Sequence, residues 1–175
     1  MNLQHLQTDL CALIKSRQIV NKDDEYICNI NLSQHLILVK KIALWWRKIQ
    51  IENSCRLTAN LLKSKNEFEI ALSDFFNDVK YSAFREEIYI QFLQYITSKN
   101  ADALTVCVAE FELSLIQLKL NQHIQKFITW NYEPYQIIND LLKNVFTENT
   151  LIQGTYLVEI STENTELFTV KTLSH

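Results

Sequence analysis

Apolar positions recur every three or four residues along the first two thirds of the chain. Leu3, Leu6, Leu10, Leu13 and Ile14 form one stripe and predict a short first helix. After the polar stretch Asn21-Lys22-Asp23-Asp24-Glu25, Ser33 suits the N-cap of a longer helix over residues 34–62, in which Leu36, Val39, Ala43, Trp46, Ile49, Leu57 and Leu61 stay in phase. That length fits one central bundle helix, or two helices meeting near Asn53-Ser54. Phe68, Leu72, Phe75, Phe76 and Val79 predict a third helix. Phe84, Ile88, Phe92, Tyr95 and Ile96 predict a fourth starting at Ser82, and Leu104, Cys107, Val108, Phe111, Leu115 and Leu118 a fifth starting near Ala101.

The pattern changes after Leu120. Residues 124–130 are rich in β-branched and aromatic side chains, which favours a strand. Pro134 fits the first turn of a short helix over residues 135–142, because its missing N–H has no helical partner there. Gly154 introduces the apolar run 155–160, and the polar turn Ser161-Thr162-Glu163-Asn164 leads into residues 167–172, so these two runs read as a hairpin. The expected fold is mainly α: a helical bundle of about five helices over residues 1–121, then a small β-α-β-β, winged-helix-like module over 122–175. A unit of roughly 50 residues is marginal alone, so it should pack on the bundle.

Composition sharpens this picture. The single proline and single glycine are Pro134 and Gly154, so the first 133 residues contain neither helix breaker. The 175 residues are 47% hydrophobic and 21% charged, as in an ordinary globular protein. No apolar run approaches the roughly 18 to 20 residues that span a bilayer, and the first residues lack a signal-peptide layout. The expectation is a cytoplasmic protein with no membrane partner. Cys11, Cys28, Cys55 and Cys107 form no CxxC pair and read as buried thiols.

Chemistry-bearing motifs are scarce. His5, His35, His123 and His175 are scattered, without an ExxH or HExxH spacing, so no metal site is expected. Glu86 with Glu87, and Glu110 with Glu112, are spaced so that each pair points to different faces of a helix. Glu110 stands out for its apolar surroundings, and if buried it needs a partner such as an arginine. A glycine-rich phosphate loop and a GxSxG elbow both need glycines that are missing here. No catalytic residue and no cofactor are expected, and an enzyme working alone is disfavoured.

Charge is uneven. Between residues 36 and 65, Lys40, Lys41, Arg47, Lys48, Arg56, Lys63 and Lys65 face one acid, Glu52. Lys40 and Arg47, like Lys41 and Lys48, are seven apart, so they form a basic helix face with Trp45 and Trp46 between them. Such a face suits an acidic peptide, an acidic protein or a nucleic-acid backbone. The plain alternative is a solvated lysine face over a tryptophan-filled core. From Glu133 onward six acids meet two bases, which argues against a DNA-reading wing.

Several short segments bear on family: Leu3-Gln4-His5-Leu6-Gln7, residues 46–53, Phe111-Glu112-Leu113-Ser114-Leu115, residues 156–160 and residues 167–170. In their order the chain resembles bacterial partner proteins of multinuclear non-heme iron oxidases that modify ribosomally made peptides, often labelled DNA-binding domain proteins. The resemblance implies a helical domain that docks on a metal-dependent oxidase, as an accessory subunit, and a C-terminal winged module that presents the precursor peptide. It carries over no catalytic residue.

The expected function is therefore that of a non-catalytic adaptor that binds a protein or peptide. Strand addition would occur at residues 156–160 or 167–172, with Tyr156, Val158, Ile160, Phe168 and Val170 as the contacting side chains. Two alternatives stand beside it: a DNA-associated regulator using Lys40, Lys41, Arg47 and Lys48 on the basic helix, and a bundle whose groove near Trp45 and Trp46 takes a partner helix.

Overall fold

The computed structural model describes residues 3–14, 25–79, 87–99, 102–120, 123–163 and 166–173. Among them are eight α-helices: α1 (Leu3–Ile14), α2 (Glu25–Asn31), α3 (Gln34–Ser54), α4 (Arg56–Ser64), α5 (Phe68–Asp78), α6 (Ile88–Ser98), α7 (Ala103–Lys119) and α8 (Pro134–Lys143). Strands β1 (Gln125–Tyr132), β2 (Gln153–Ser161) and β3 (Phe168–Thr172) form one antiparallel sheet in the order β1-β2-β3. The chain is mainly helical with a small sheet near its C-terminal end. The long pattern over 34–62 resolves into two helices that meet at Cys55. Helix α2 is an addition, too short for its apolar spacing to stand out. Residues 21–24, the predicted helix start at 82–86 with the carboxylate Glu86, Asn164 and His175 lie outside the described residues.

The packing divides into two compact units, Met1–Gln50 and Ile51–His175. Helix α7 ends at Lys119 and strand β1 begins at Gln125, both within the second unit. In the first unit Leu13, Ile27 and Leu36 are buried, with Leu6, Leu10, Ile14 and Ile30 packed against them. Ser33 caps α3, accepting a hydrogen bond from the His35 N–H at 3.2 Å.

The second unit is built around α4 and α7, each apolar on two sides. Cys55, Ala59 and Leu62 beside α4, with Ala109 and Leu113 of α7, meet Phe68, Leu72 and Phe75 of α5 and Ile88, Phe92, Leu93 and Ile96 of α6. The opposite sides, Leu57 and Leu61 with Leu104, Val108, Phe111 and Leu118, meet Ile128 and Trp130 of β1, Val158 and Ile160 of β2, and Ile137 and Leu141 of α8. A helix apolar all round is one enclosed by other elements, and α7 is enclosed by helices on one side and the sheet on the other. Phe111 is the pivot of the sheet side, edge-on to Trp130 at 5.9 Å and to Phe168 at 5.0 Å.

Helix ends are closed by named side chains. Asp102 caps α7, accepting from the Thr105 N–H at 3.1 Å, and Glu133 caps α8 through the N–H groups of Tyr135 and Gln136, with Pro134 in the first turn. Helix α8 stops at Asn144, whose φ of 56° is the left-handed conformation that asparagine tolerates. Helix α4 begins at Cys55, which makes no side-chain cap. Glu112 of α7 supplies the missing acceptors: its two carboxylate oxygens receive the N–H groups of Leu57 and Thr58, each at 2.9 Å.

Candidate interaction surfaces

The sheet decides which backbone is free. Register pairs β2 with β1 through residues 153 and 156–161, and with β3 through residues 156–160. Strand β2 is thus the central strand, and the expectation of strand addition along 156–160 is corrected: its main chain already bonds on both sides. The side chains proposed there are equally committed. Val158 and Ile160 are fully buried, and Tyr156, Phe168 and Val170 pack on the same core from the sheet's inner face. They read as a docking pattern in sequence because a half-buried strand and a peptide-binding strand share one alternation.

The edges remain. The Ser161 N–H donates to Leu167 O and the Leu173 N–H to Thr155 O, so odd-numbered residues of β3 bond to β2 and even-numbered ones point their main chain outward. The Phe168 N–H turns back to Glu166 O at 2.6 Å, which leaves Val170 and Thr172 as the outward donors of β3. No described strand pairs with that side. Strand β1 differs, since its outward Thr129 carbonyl receives the Cys107 thiol from α7 at 3.3 Å. On the sheet's outer face Lys171 and Gln125 both bond to Glu159, whose carboxyl they hold below its ordinary range, with Phe127 exposed beside them.

The bases from Arg56 to Lys65 are engaged within their own unit. Arg56 donates to Leu142 O at 3.0 Å and Asn60 to Leu141 O at 2.9 Å, so α4 closes the C-terminal carbonyls of α8. Lys63 pairs with Glu52, and Lys65 with Asp102 at 2.8 Å. Arg56 and Lys63, with Glu52, Asn53, Asn144 and Phe146, line an open cleft of about 630 Å³, and its charged groups are engaged within the fold, Lys63 with Glu52 and Arg56 with the Leu142 carbonyl. On α3, Lys41 is exposed, and Lys40, Arg47 and Lys48 are half-buried. The tryptophan-filled core is also corrected: Trp45 and Trp46 are exposed, packed edge-on to each other at 5.1 Å.

Asp9 of α1 and Glu112 of α7 are buried carboxylates, while Glu110 is half-buried with Lys126 at 3.8 Å. The partners of Glu112 are backbone N–H groups and not an arginine. Burial pushes its carboxyl up, and the bonds from Thr58 and Leu57 hold that rise back. Burial likewise raises the Cys55 thiol, and it raises Cys107 to about 11, so neither is a ready nucleophile. Cys28, expected to be buried, is exposed, and Cys11 and Cys107 are half-buried. Among the described residues no three His, Cys, Asp or Glu side chains converge as metal ligands, and no helix is long and apolar enough to cross a membrane. No protein-family model matches the chain, and comparison with curated proteins and with solved structures gives no match.

Proposed function

We propose that the protein is a non-catalytic adaptor that takes up an extended peptide along the outer edge of β3. The observation that carries this reading is the alternation of β3: Val170 and Thr172 present outward main-chain groups on a strand whose other side is secured by β2. An added strand would gain its affinity from those groups, and its alternate side chains would meet two different environments. Inner-face side chains would lie along Phe168, whose ring contacts Tyr135 at 5.7 Å, and outer-face ones along Thr169 and Lys171. The preferred peptide is therefore apolar at one alternation and polar or acidic at the other. The order of segments that resembles the oxidase partner proteins agrees with this use, the peptide being a precursor presented to a modifying enzyme by a winged-helix-like module.

The test uses the outward geometry. Peptides selected from a displayed library are titrated against the chain and against Thr172→Pro. That substitution removes an outward donor and no bond of the β2 ladder. Affinity should fall by more than about tenfold while the unfolding midpoint changes little. Equal affinity for both proteins would rule out the β3 edge.

A further inference from the structure

Helix α3 exposes more apolar surface than a solvated helix needs. Leu38, Val39, Ile42, Trp45 and Trp46 are all exposed, the two indoles at 54% and 61%. At 3.6 residues per turn these positions and Ile49 cover about 120° of the helix, a continuous stripe over three turns. Lys41 and Lys48 flank it on one side, and Lys40 and Arg47 lie beyond it on the other. No acidic side chain occurs in residues 34–50. A contiguous apolar patch rimmed by charge of one sign marks an interaction site.

The pattern discriminates among occupants. Ile37 and Leu44 are also exposed, and they fall on the opposite face, between the two basic pairs. A helix lying in a lipid interface keeps that face polar, so α3 is shaped to be enclosed by protein. Two copies of α3 would bring like-charged flanks together, which disfavours self-pairing. Charge complementarity and the stripe of Leu38, Ile42, Trp45 and Ile49, spaced four, three and four, fit one occupant. We propose that α3 docks an acidic amphipathic helix of another protein, with apolar residues against this stripe and carboxylates against Lys41 on one flank and Lys40 on the other. This surface is separate from the β3 edge and does not depend on it.

The experiment adds a synthetic leucine-heptad peptide with glutamate flanks to the full chain, beside a matched peptide with lysine flanks. Trp130 is buried, so a blue shift in emission reports Trp45 and Trp46. The glutamate peptide should produce the shift and weaken as ionic strength rises, and the lysine peptide should not. Ile42→Glu, at an exposed position, should weaken a labelled glutamate peptide by more than about tenfold with helix content unchanged. Thr172→Pro should leave this binding intact. Equal binding of both peptides would overturn the proposal. So would a shift produced by phosphatidylglycerol vesicles and not by the glutamate peptide, or a concentration-dependent dimer that alone gives the shift.

Discussion

Asp102 and Glu112 both close helix starts, one from the adjoining cap position and one from across the core. Asp102 accepts from the Thr105 N–H and hydroxyl and pairs with Lys65. Burial would raise its carboxyl, but the Lys65 and Thr105 bonds outweigh it and hold the group below its ordinary value. A lowered folded value means stability present above the unfolded value of 3.8 and lost as pH falls through the folded one. Asp102→Asn keeps a cap and loses the charge. It should cost about 0.5 to 1 kcal/mol at neutral pH, discounted for partial exposure, with the gap to the wild type closing in acid, as denaturant titration at several pH values would show. A gap that stays constant with pH would contradict this role. At this scale the sequence was legible where a residue acts on its neighbours, as Ser33 and Pro134 do. It was not legible for Glu112, whose partners lie more than fifty residues away and are set by tertiary packing.

At the scale of elements, period was informative and environment was not. The three- and four-residue spacing located α1 and α3 to α7, and the change to β-branched and aromatic residues located β1 to β3. The same spacing could not tell that Trp45 and Trp46 face solvent, because an apolar stripe looks alike whether it is buried or waiting for a partner. Nor could alternation tell the central strand from the edge strand, since Val158 of β2 and Val170 of β3 follow one pattern while β2 is paired on both sides and β3 on one. Helix α7 shows what double-sided apolarity means, and Phe111 is its tightest link to the sheet. Phe111→Ala should destabilise by about 3 to 5 kcal/mol. In a background with Trp45→Phe and Trp46→Phe, the buried Trp130 signal and the helical circular dichroism of the second unit should shift together. A sheet signal that moves alone would mean that residues 122–175 fold as a separate module.

For the whole molecule, the division at Gln50 and Ile51 gives each candidate surface its own unit. The first unit carries the basic, tryptophan-bearing side of α3. The second holds the sheet with its open β3 edge on a two-sided helical core, and that core keeps the edge in place. The most direct measurement is amide hydrogen exchange along β3. The alternating geometry predicts that Thr169 and Lys171, bonded to β2, are protected in the free protein, that Val170 and Thr172 exchange quickly, and that a bound peptide protects those two. Val170 and Thr172 amides already protected in the free monomer, or unchanged at saturating peptide, would contradict an open edge that recruits another chain.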